Sequence, residues 1–411
     1  MFWKNNIKLV ANFDRQWNDE WTNKPGGAKI GYTVQVRLPQ RWVVTEGQAL
    51  VQQAILNQTV PITLNHQFQV GMGWSSADNA MLVEEVQSRY TSKAGIALAN
   101  KCDVVAGLEV YKAVYFTIGP LGSISLAGLN PNVTLDGAYT DGVAVLRDVG
   151  VPEELCAVID PQSQSRLLKV AFNQFNPQME VSRYFRRGQF SGPALGVDEW
   201  YWDPNIPTHT TGTMTASTPL VDGALQTGST LLLQGLGTYS FKAGDSIRIA
   251  GVTAANPVSY VDTADPQDFS IQVDIAGSGS ALLTISPPII PLATSGQQNA
   301  LATVNASPAN NASVFFMFSS GGWTSAVAIT MSAQTTRQSL IFHPDAFAWV
   351  MADLPVPLAG ANSARKSDKD AKLSMRWVQQ YQIQTDQEPS KIECLVGTAP
   401  ILPYFALRAQ S

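Results

Sequence analysis

The sequence carries no Asp, Glu, Lys or Arg between Asp274 and Arg337. In this stretch and the segment before it, Gly, Ser, Thr and Pro separate short runs of alternating apolar residues, as in residues 246–250. Alternation with frequent turn residues is typical of short β-strands. The composition changes at about Thr213, and an α/β pattern precedes and follows the segment. We therefore predict a small all-β unit over residues 213–309, inserted into an α/β region.

The charge balance argues against one class of function. The chain has 411 residues, a formal net charge of −5 and 14% charged residues, against about 25% in an average soluble protein. Its hydrophobic share of 45% is ordinary, and a chain of this length has enough apolar surface for two or more domains. Residues 1–72 carry a mild positive excess, which falls short of a phosphate-binding patch. The sequence therefore does not resemble a dedicated nucleic-acid reader.

The cysteines and histidines argue against a structural metal site. All six stand alone in the sequence, without the closely spaced pairs that zinc sites use; they are Cys102, Cys156, Cys394, His66, His209 and His343. An odd, scattered set of cysteines fits a reducing compartment. The first residues lack the apolar core of a signal peptide, and no apolar run is long enough for a membrane span. We therefore expect a soluble protein made in the cytoplasm.

Residues 1–26 are rich in aromatic side chains and are predicted to form an arm. Leu9, Phe13, Trp17 and Trp21 recur every four residues, which is the spacing of one helical face. Such a face either docks on the core of its own chain or binds a neighbouring chain. The sequence does not decide between the two.

A long β-hairpin is predicted over residues 27–73. Val34, Val36 and Leu38 alternate with polar residues, and residues 60–70 alternate in the same way. Eleven extended residues reach about 36 Å, and an isolated ribbon of that length is not stable in water. The apolar stripe of this hairpin must therefore be covered by its own domain or by another subunit.

The remaining segments predict helices and strands in alternation. We expect one long helix, or two nearly continuous helices, from Asp78 to about Val105, broken or bent near Gly95. Strands are expected over 155–159, 196–203 and 340–342. Ser163 is predicted to cap a helix that ends near residue 172, and Asp345 a helix that ends near residue 352. A charged loop over 365–370 precedes two closing strands at 375–383 and 391–396.

No catalytic motif stands out. The most enzyme-like cluster is residues 198–203, where Asp198 and Glu199 are followed by Trp200, Tyr201 and Trp202. Aromatic rings beside carboxylates occur in sugar-binding and glycosidase clefts. Neighbouring residues on a strand point to opposite faces, however, so Asp198 and Glu199 do not line one cleft. We predict no enzyme activity.

Four stretches of the chain resemble one known family. They are residues 241–252, residues 98–100, residues 340–347 followed by Leu354-Pro355, and residues 374–386 with 395–397. Together with the order of arm, hairpin, long helix, α/β region and β insertion, they resemble tailed-bacteriophage major capsid proteins of the Hong Kong 97-type fold, in the P twenty-two branch with an inserted domain. The similar stretches are spread over nearly the whole chain.

The resemblance implies an α+β fold and a division of the chain. It has an N-terminal arm, an extended hairpin loop, a spine helix, a peripheral and an axial domain, and an inserted small all-β domain. The implied ranges are 1–26 for the arm, 27–73 for the hairpin, 74–130 for the peripheral domain with its spine helix, 131–212 and 310–360 for the axial domain, 213–309 for the insertion and 361–411 for the return to the peripheral domain.

The resemblance also implies a function and partners. The protein would be a major capsid protein that self-assembles, as pentamers and hexamers, into an icosahedral head shell around packaged double-stranded DNA. It would have no cofactor, metal or membrane partner. It would interact with a scaffolding protein and a portal during assembly in the host bacterial cytoplasm. In the virion (capsid) it would contact DNA non-specifically on the inner face of the shell. Candidate subunit contacts are Phe13, Trp17, Trp21, Val36, Arg37, Leu64 and Phe68.

Two other functions stay open from the residues alone. One is a carbohydrate-binding or glycoside-hydrolysing β-rich protein, which the cluster at residues 198–203 suggests. The other is a phage tail or decoration protein, because such proteins share strands rich in Ser, Thr and Gly.

Overall fold

The fold is taken from a computed structural model of the chain. The structure describes residues 7–18, 31–48, 50, 52–53, 55, 57–75, 92–119, 135–171, 193–294, 297–318, 322–324, 329–357, 362–368 and 373–411.

Strands outnumber helices in these residues. The α-helices are α1 (Ser92–Val110), α2 (Leu135–Asp148) and α3 (Pro161–Ala171). The strands of the first half are β1 (Thr33–Arg37), β2 (Thr59–Thr63), β3 (His66–Met72), β4 (Phe116–Ile118), β5 (Cys156–Ile159), β6 (Glu199–Trp202) and β7 (Thr208–Thr210). The later strands are β8 (Thr213–Ser217), β9 (Leu220–Val221), β10 (Gly228–Phe241), β11 (Ser246–Ala255), β12 (Asp262–Ile271), β13 (Ile275–Ile289), β14 (Ala293–Thr294), β15 (Gln297–Gln298), β16 (Val314–Phe318), β17 (Gly322–Thr324), β18 (Ile329–Met331), β19 (Thr335–Phe342), β20 (Phe347–Ala352), β21 (Asn362–Asp368), β22 (Leu373–Gln379), β23 (Ser390–Pro400) and β24 (Ala406–Gln410).

The described strands form three principal sheets and a ribbon. The ribbon is the antiparallel pair β1–β2. The β23 sheet has the order β20-β23-β22-β21, with β3 also paired to β23. The mixed sheet has the order β4-β24-β19-β5-β6, with β7 paired to β19. The large sheet has the order β17-β16-β11-β12-β13-β10-β8-β18, with β9 paired to β10.

The chain divides into two compact units. The first consists of Met1–Leu38, Thr59–Glu109 and Phe347–Ile401, and the second of Pro39–Gln58, Val110–Ala346 and Leu402–Ser411. The first unit therefore holds the ribbon strands and the β23 sheet, and the second holds the mixed and large sheets. No helix in the part of the chain that the structure describes is long and apolar enough to span a membrane.

The β23 sheet corrects the prediction of a helix from Asp345 to residue 352. Pro344–Ala346 form only a single 3₁₀ turn, and Phe347–Ala352 form strand β20, which is antiparallel to β23. Residues 347–351 are all buried. A short apolar run that is buried on both faces suits a strand as well as a helix, and pairing with β23 decides for the strand. The predicted charged loop is also wrong in part, because β21 pairs with β22 along its length.

The N-terminal residues pack on the first unit. Two 3₁₀ turns, Val10–Asn12 and Gln16–Asn18, take the place of the predicted helical face. The Phe13 ring lies 5.0 Å from the Phe347 ring. The Asp103 carboxylate accepts the backbone N–H groups of Lys8 and Val10 at 2.7 and 3.1 Å. Charge-assisted bonds of this kind to unpaired N–H groups fix the segment on its own chain.

The predicted hairpin is present in its first part and wrong in its second. Register pairs such as Val36↔Val60 form the ribbon, but the strand over residues 60–70 is interrupted at Leu64 and Asn65. Beyond the interruption, β3 joins the β23 sheet. Gly397 permits the approach of β2 to β23, since a Cβ at this position would lie 2.1 Å from the Thr63 carbonyl oxygen.

Helix α1 confirms the later part of the predicted long helix. Its described residues run from Ser92 to Val110 and pass through Gly95 without interruption, so the predicted break near Gly95 is wrong. Leu98, Ala99 and Cys102 on its buried face are shielded from solvent, as the predicted periodicity required. The predicted beginning at Asp78 lies outside the described residues.

The mixed sheet places α2 and α3 on one of its faces. Tyr139 and Leu146 of α2 join a buried cluster with Ile159 of β5 and Ile341 of β19. Asp160, rather than the predicted Ser163, caps α3, because its carboxylate accepts backbone N–H groups of Gln162 and Ser163 at 3.0 and 3.2 Å. The strands predicted over 155–159 and 340–342 are confirmed.

The large sheet begins where the composition changes and extends further than predicted. Its strands run from Thr213 to Met331, because β16, β17 and β18 join the sheet beyond residue 309, where the predicted insertion ends. Its core contains the stacked rings of Tyr239, Phe241 and Phe316, with centroid separations of 4.9 and 5.1 Å. Such pairs add stability beyond the area that they bury.

Candidate subunit-contact surface

The ribbon carries a long tip between its two strands. Residues 38–58 connect β1 to β2. Gln53 holds the two sides of the tip together: its Oε1 accepts the backbone N–H of Val43 at 3.0 Å, and its amide donates to the carbonyl of the same residue. These two hydrogen bonds connect parts of the tip that lie ten residues apart in the sequence.

Apolar side chains of the tip face solvent. The exposed fractions are 51% for Trp42, 93% for Val44, 93% for Leu50 and 70% for Ile55. The tip contains just one cation and one anion, Arg41 and Glu46, over its whole sequence. Soluble monomers rarely expose a cluster of large apolar side chains, and such a cluster marks a surface that another molecule covers.

Arg41 connects the tip with the C-terminal segment of the second unit. Its guanidinium lies 5.0 Å from the centre of the Tyr404 ring, within the distance of a cation–π interaction. Burial raises the pKa of the nearby Tyr115 well above its ordinary range, so this phenol stays neutral. The contact with Tyr404 therefore holds Arg41 near the start of the tip in the sequence. The apolar side chains of Trp42, Val44, Leu50 and Ile55 remain exposed.

Three of the predicted contact residues are buried within the single chain. Phe13 is 4% exposed, Val36 1% and Leu64 4%. Side chains buried to this extent leave little surface for a neighbouring subunit, and subunit contact at these positions stays a prediction. The apolar stripe of the ribbon is covered by its own chain, which is the alternative that the sequence left open.

The other predicted contacts differ in exposure. Arg37 is exposed, Trp17 and Phe68 are half-buried, and Trp21 lies outside the described residues. The ring of Phe68 stacks on His66 at 5.5 Å within β3. A charge at position 68 would therefore disturb the β23 sheet itself, and this residue is a poor probe of subunit contact.

Sequence reasoning missed the exposed tip. Trp42, Val44, Leu50 and Ile55 lie between the two predicted strands, in a segment with no clear period of 2 or 3.6. One feature of the sequence could have revealed them: these residues are apolar, whereas connections between strands usually consist of polar and turn-forming residues.

A layer of buried polar groups joins the large sheet to the mixed sheet. We call it the polar seam and define it by Thr117, Ser246, Asp268 and Arg408. The Arg408 side chain is fully buried and donates to the Gly244 carbonyl at 2.8 Å, to Thr117 Oγ1 at 3.3 Å and to Ser246 Oγ. Asp268 accepts the backbone N–H of Thr117 at 3.0 Å.

The charges of the polar seam are compensated within it. Burial lowers the pKa of Arg408 to about 10. The electrostatic effects of Tyr111, Asp245 and Asp268 act in the opposite direction and raise this pKa. Burial also raises the pKa of Asp268, against the opposing effect of its ion pair with Arg248. Arg408 is nevertheless charged at neutral pH, because an arginine with this pKa keeps its proton.

A second buried chain of groups lies beside the polar seam. His209 Nε2 contacts Asp245 Oδ1 at 2.9 Å, and His209 Nδ1 contacts the Tyr111 hydroxyl at 3.2 Å. A neutral imidazole satisfies both contacts by donating to the carboxylate and accepting from the phenol. The arrangement is filled by the protein's own groups and offers no position for a substrate.

The carboxylates of the enzyme-like cluster have structural partners. Asp198 Oδ2 accepts the backbone N–H groups of Glu154 and Leu155, both at 3.0 Å, and Glu199 accepts the Tyr201 hydroxyl. No group of three or more His, Cys, Asp or Glu side chains suitable for a metal occurs in the described residues. Nothing in this geometry favours glycoside cleavage.

A buried glutamate in the β23 sheet makes the stability of the protein sensitive to acid. Glu393 is fully buried and accepts hydrogen bonds from Arg376 Nε at 2.8 Å, Lys391 Nζ at 2.9 Å and Gln67 Nε2 at 2.9 Å. Burial alone would raise the pKa of Glu393, but these donors outweigh it and hold the pKa below its usual range.

We expect the free energy of unfolding to fall as the pH drops below about 4.5. A carboxyl whose pKa is lower in the folded state stabilises the fold above its unfolded pKa of about 4.3, and this contribution disappears as the pH falls through the folded pKa. Urea unfolding at pH 7, 4.5 and 3.5 measures the slope. Glu393→Gln should flatten it, and the exposed control Glu153→Gln should not. An equal slope in both variants would show that Glu393 is not its source.

The chain matches one protein family. The model of the P22 coat protein family (P22 coat protein - gene protein 5) matches residues 121–405, which is more than half of the chain. Similar solved structures include a chain of Mycobacterium phage Che8 (10% identity, TM-score 0.45, 98% of this chain and 90% of that chain) and the capsid of cyanophage P-SCSP1u (13% identity, TM-score 0.45, 93% and 84%). A virus-like particle from Pyrococcus furiosus is also similar (8% identity, TM-score 0.39, 99% and 94%). No curated protein sequence matches the chain.

Proposed function

This chain belongs to the P22 coat protein family and is a major capsid protein of a phage head, and we propose that its copies close into an icosahedral shell through the apolar tip of the ribbon. The shell would consist of pentamers and hexamers and enclose packaged double-stranded DNA. The single observation that supports this assembly route is the exposure of Trp42, Val44, Leu50 and Ile55 in the one connection between β1 and β2.

The physical argument concerns the strength of one contact. Covering several hundred Å² of apolar surface contributes roughly 10 kcal/mol before the cost of association is subtracted. Most of that gain is cancelled by lost translational and rotational freedom, so a single contact is reversible. A closed lattice holds each copy by several contacts at once, and the combination is far stronger than any one of them. Reversible contacts allow errors to be corrected during assembly.

We propose a division of the chain that follows the described sheets. The ribbon with its tip corresponds to the extended hairpin loop, and α1 with the β23 sheet to the spine helix and peripheral domain. The mixed sheet corresponds to the axial domain, and the large sheet, over residues 213–331, to the inserted domain. The pairing of Thr210 with Thr335 supports an insertion, because the chain leaves and re-enters the mixed sheet at adjacent positions.

The wider partners of the shell belong to the same proposal. A scaffolding protein and a portal would take part in assembly in the host bacterial cytoplasm, and the finished protein would reside in the virion. Contacts with packaged DNA would be non-specific, since the chain has a net charge of −5 and only a mild positive excess over residues 1–72. A weak attraction between the protein and the DNA phosphates suits the inner surface of a shell that must not bind the genome tightly.

Electron microscopy of the full chain expressed in bacterial cells tests the proposed function. We expect closed shells of uniform diameter in the fast-sedimenting fraction. Uniform monomers at every concentration, or tail-like tubes in place of shells, would contradict the proposal.

A further inference from the structure

Strand β21 forms an uncovered edge of the β23 sheet. It pairs with β22 on one side, and no described strand pairs with its other side. Ala364, Arg365, Lys366 and Ser367 are all exposed, so both faces of the strand meet solvent. An edge strand with free backbone groups is a template for association with another chain.

This edge is the most highly charged part of the sequence. Six of the eight residues from 365 to 372 are charged, with four cations and two anions, in a chain where 14% of residues are charged. Arg365 Nη1 lies 3.7 Å from Asp353 Oδ2, within the distance of an ion pair. Lys366 has no ion pair with any residue that the structure describes. Over its own residues the strand carries two cations, Arg365 and Lys366, and one anion, Asp368, so its formal charge is +1.

The second unit presents an edge of opposite sign. Strand β6 ends the mixed sheet and pairs only with β5 among the described strands. At its start lie four exposed carboxylates without a Lys or Arg in ion-pair distance in the described chain: Glu153, Glu154, Asp198 and Glu199.

Hydrogen bonds hold the backbone in place at the acidic edge, and its carboxylates raise the pKa of a neighbouring thiol. Asp198 fixes the backbone of Glu154, which has a φ of 78°, a conformation that non-glycine residues rarely adopt. Burial raises the pKa of Cys156 to about 11, and the negative charges of Glu199, Asp198 and Glu154 add to that effect. Carboxylates that have no Lys or Arg partner among the described residues can accept cations from another molecule.

We propose that the basic β21 edge of one copy lies against the acidic β6 edge of a second copy. The proposal rests on the proposed function and names a contact surface for it that is separate from the ribbon tip. Because the two edges differ, the contact is head-to-tail, and repetition of such a contact produces a ring when the rotation closes. The charges would set the register and the partner, while the apolar tip supplies much of the affinity.

Charge exchange between the two edges tests this contact. The acidic reversal is Glu154→Lys with Glu199→Lys, and the basic reversal is Arg365→Glu with Lys366→Glu. We expect each reversal to lower the yield of shells about tenfold at 0.15 M salt, because like charges then face each other. The chain carrying all four substitutions should recover most of the wild-type yield, since the two edges are again complementary. Lys93→Glu with Lys101→Glu, at two exposed cations of α1, is the matched control and should assemble normally.

The outcomes separate this contact from the proposed function. Wild-type shells in the same experiment show that the chain assembles, whatever the variants do. Failure of the four-fold variant to recover, or unchanged assembly of both reversals, would overturn the edge contact. Where a reversal unfolds at lower temperature than wild type, the neutral pair Glu154→Gln with Glu199→Gln replaces it. That pair should reduce the dependence of assembly on salt, because fewer charges remain to be screened, and an unchanged salt dependence would overturn the proposal.

Discussion

A chain carrying Trp42→Ser, Val44→Ser and Ile55→Ser should remain folded and soluble but form no shells. The three side chains are at least half exposed in the single chain, so their loss removes little packing from the fold. If a neighbouring copy covers them, each contributes about 1.5–3 kcal/mol to the contact. The combined loss of about 5 kcal/mol weakens each contact more than a thousandfold. Sedimentation velocity and electron microscopy measure the loss of shells, and thermal unfolding measures the fold.

Val273→Ser provides the control for that experiment. Val273 is 56% exposed at the turn between β12 and β13, so the change removes an exposed apolar side chain from a place outside the tip. We expect shells of normal size from this variant. Normal shells from the triple variant would show that the tip is not the assembly surface.

Arg408→Met should lower the free energy of unfolding by about 3–5 kcal/mol, which is the usual cost of removing one partner from a buried charged network. Methionine fills much of the same volume but donates no hydrogen bond. Ser246 and the carbonyl of Gly244 would then be buried without the donor that now satisfies them, and Asp268 would lose one of its compensating cations. Chemical denaturation of the full chain, followed by fluorescence and by circular dichroism, measures the change.

Arg166→Met is the matched control, since Arg166 is exposed on α3 in the same unit. It should change the stability by no more than a few tenths of a kcal/mol. Equal stability of the two variants would mean that the polar seam is not a significant source of stability. A loss confined to Arg408→Met would establish the seam as a structural junction.

The sequence predicted elements whose pattern has one interpretation. The alternating residues of β1 and the closing pair β22–β23 are examples, because their periodicity or β-propensity points to a strand in any surroundings. Strand β20 was misassigned because the run Phe347–Ala352 is apolar at every position. Its partner β23 lies more than forty residues later in the chain, and only that pairing distinguishes a buried strand from a buried helix.

The candidate surface was predicted in location but not in its residues. Alternation in the ribbon indicated an apolar stripe, but a sequence does not say whether its own chain or a neighbour covers that stripe. The structure shows that Val36 and Leu64 are covered internally. The exposed tip was missed because its apolar residues follow no period, and the two charged edges were missed because strand order within a sheet depends on contacts between distant segments.

The polar seam bears on how chains of this kind could evolve. Groups that hydrogen-bond across it can also bond to water, so the polar atoms of the mixed sheet that the seam buries would still find partners without the large sheet. The ends of the segment already lie side by side at Thr210 and Thr335, where a short turn could rejoin them. A lineage could therefore acquire, exchange or discard this module without redesigning the scaffold beneath it.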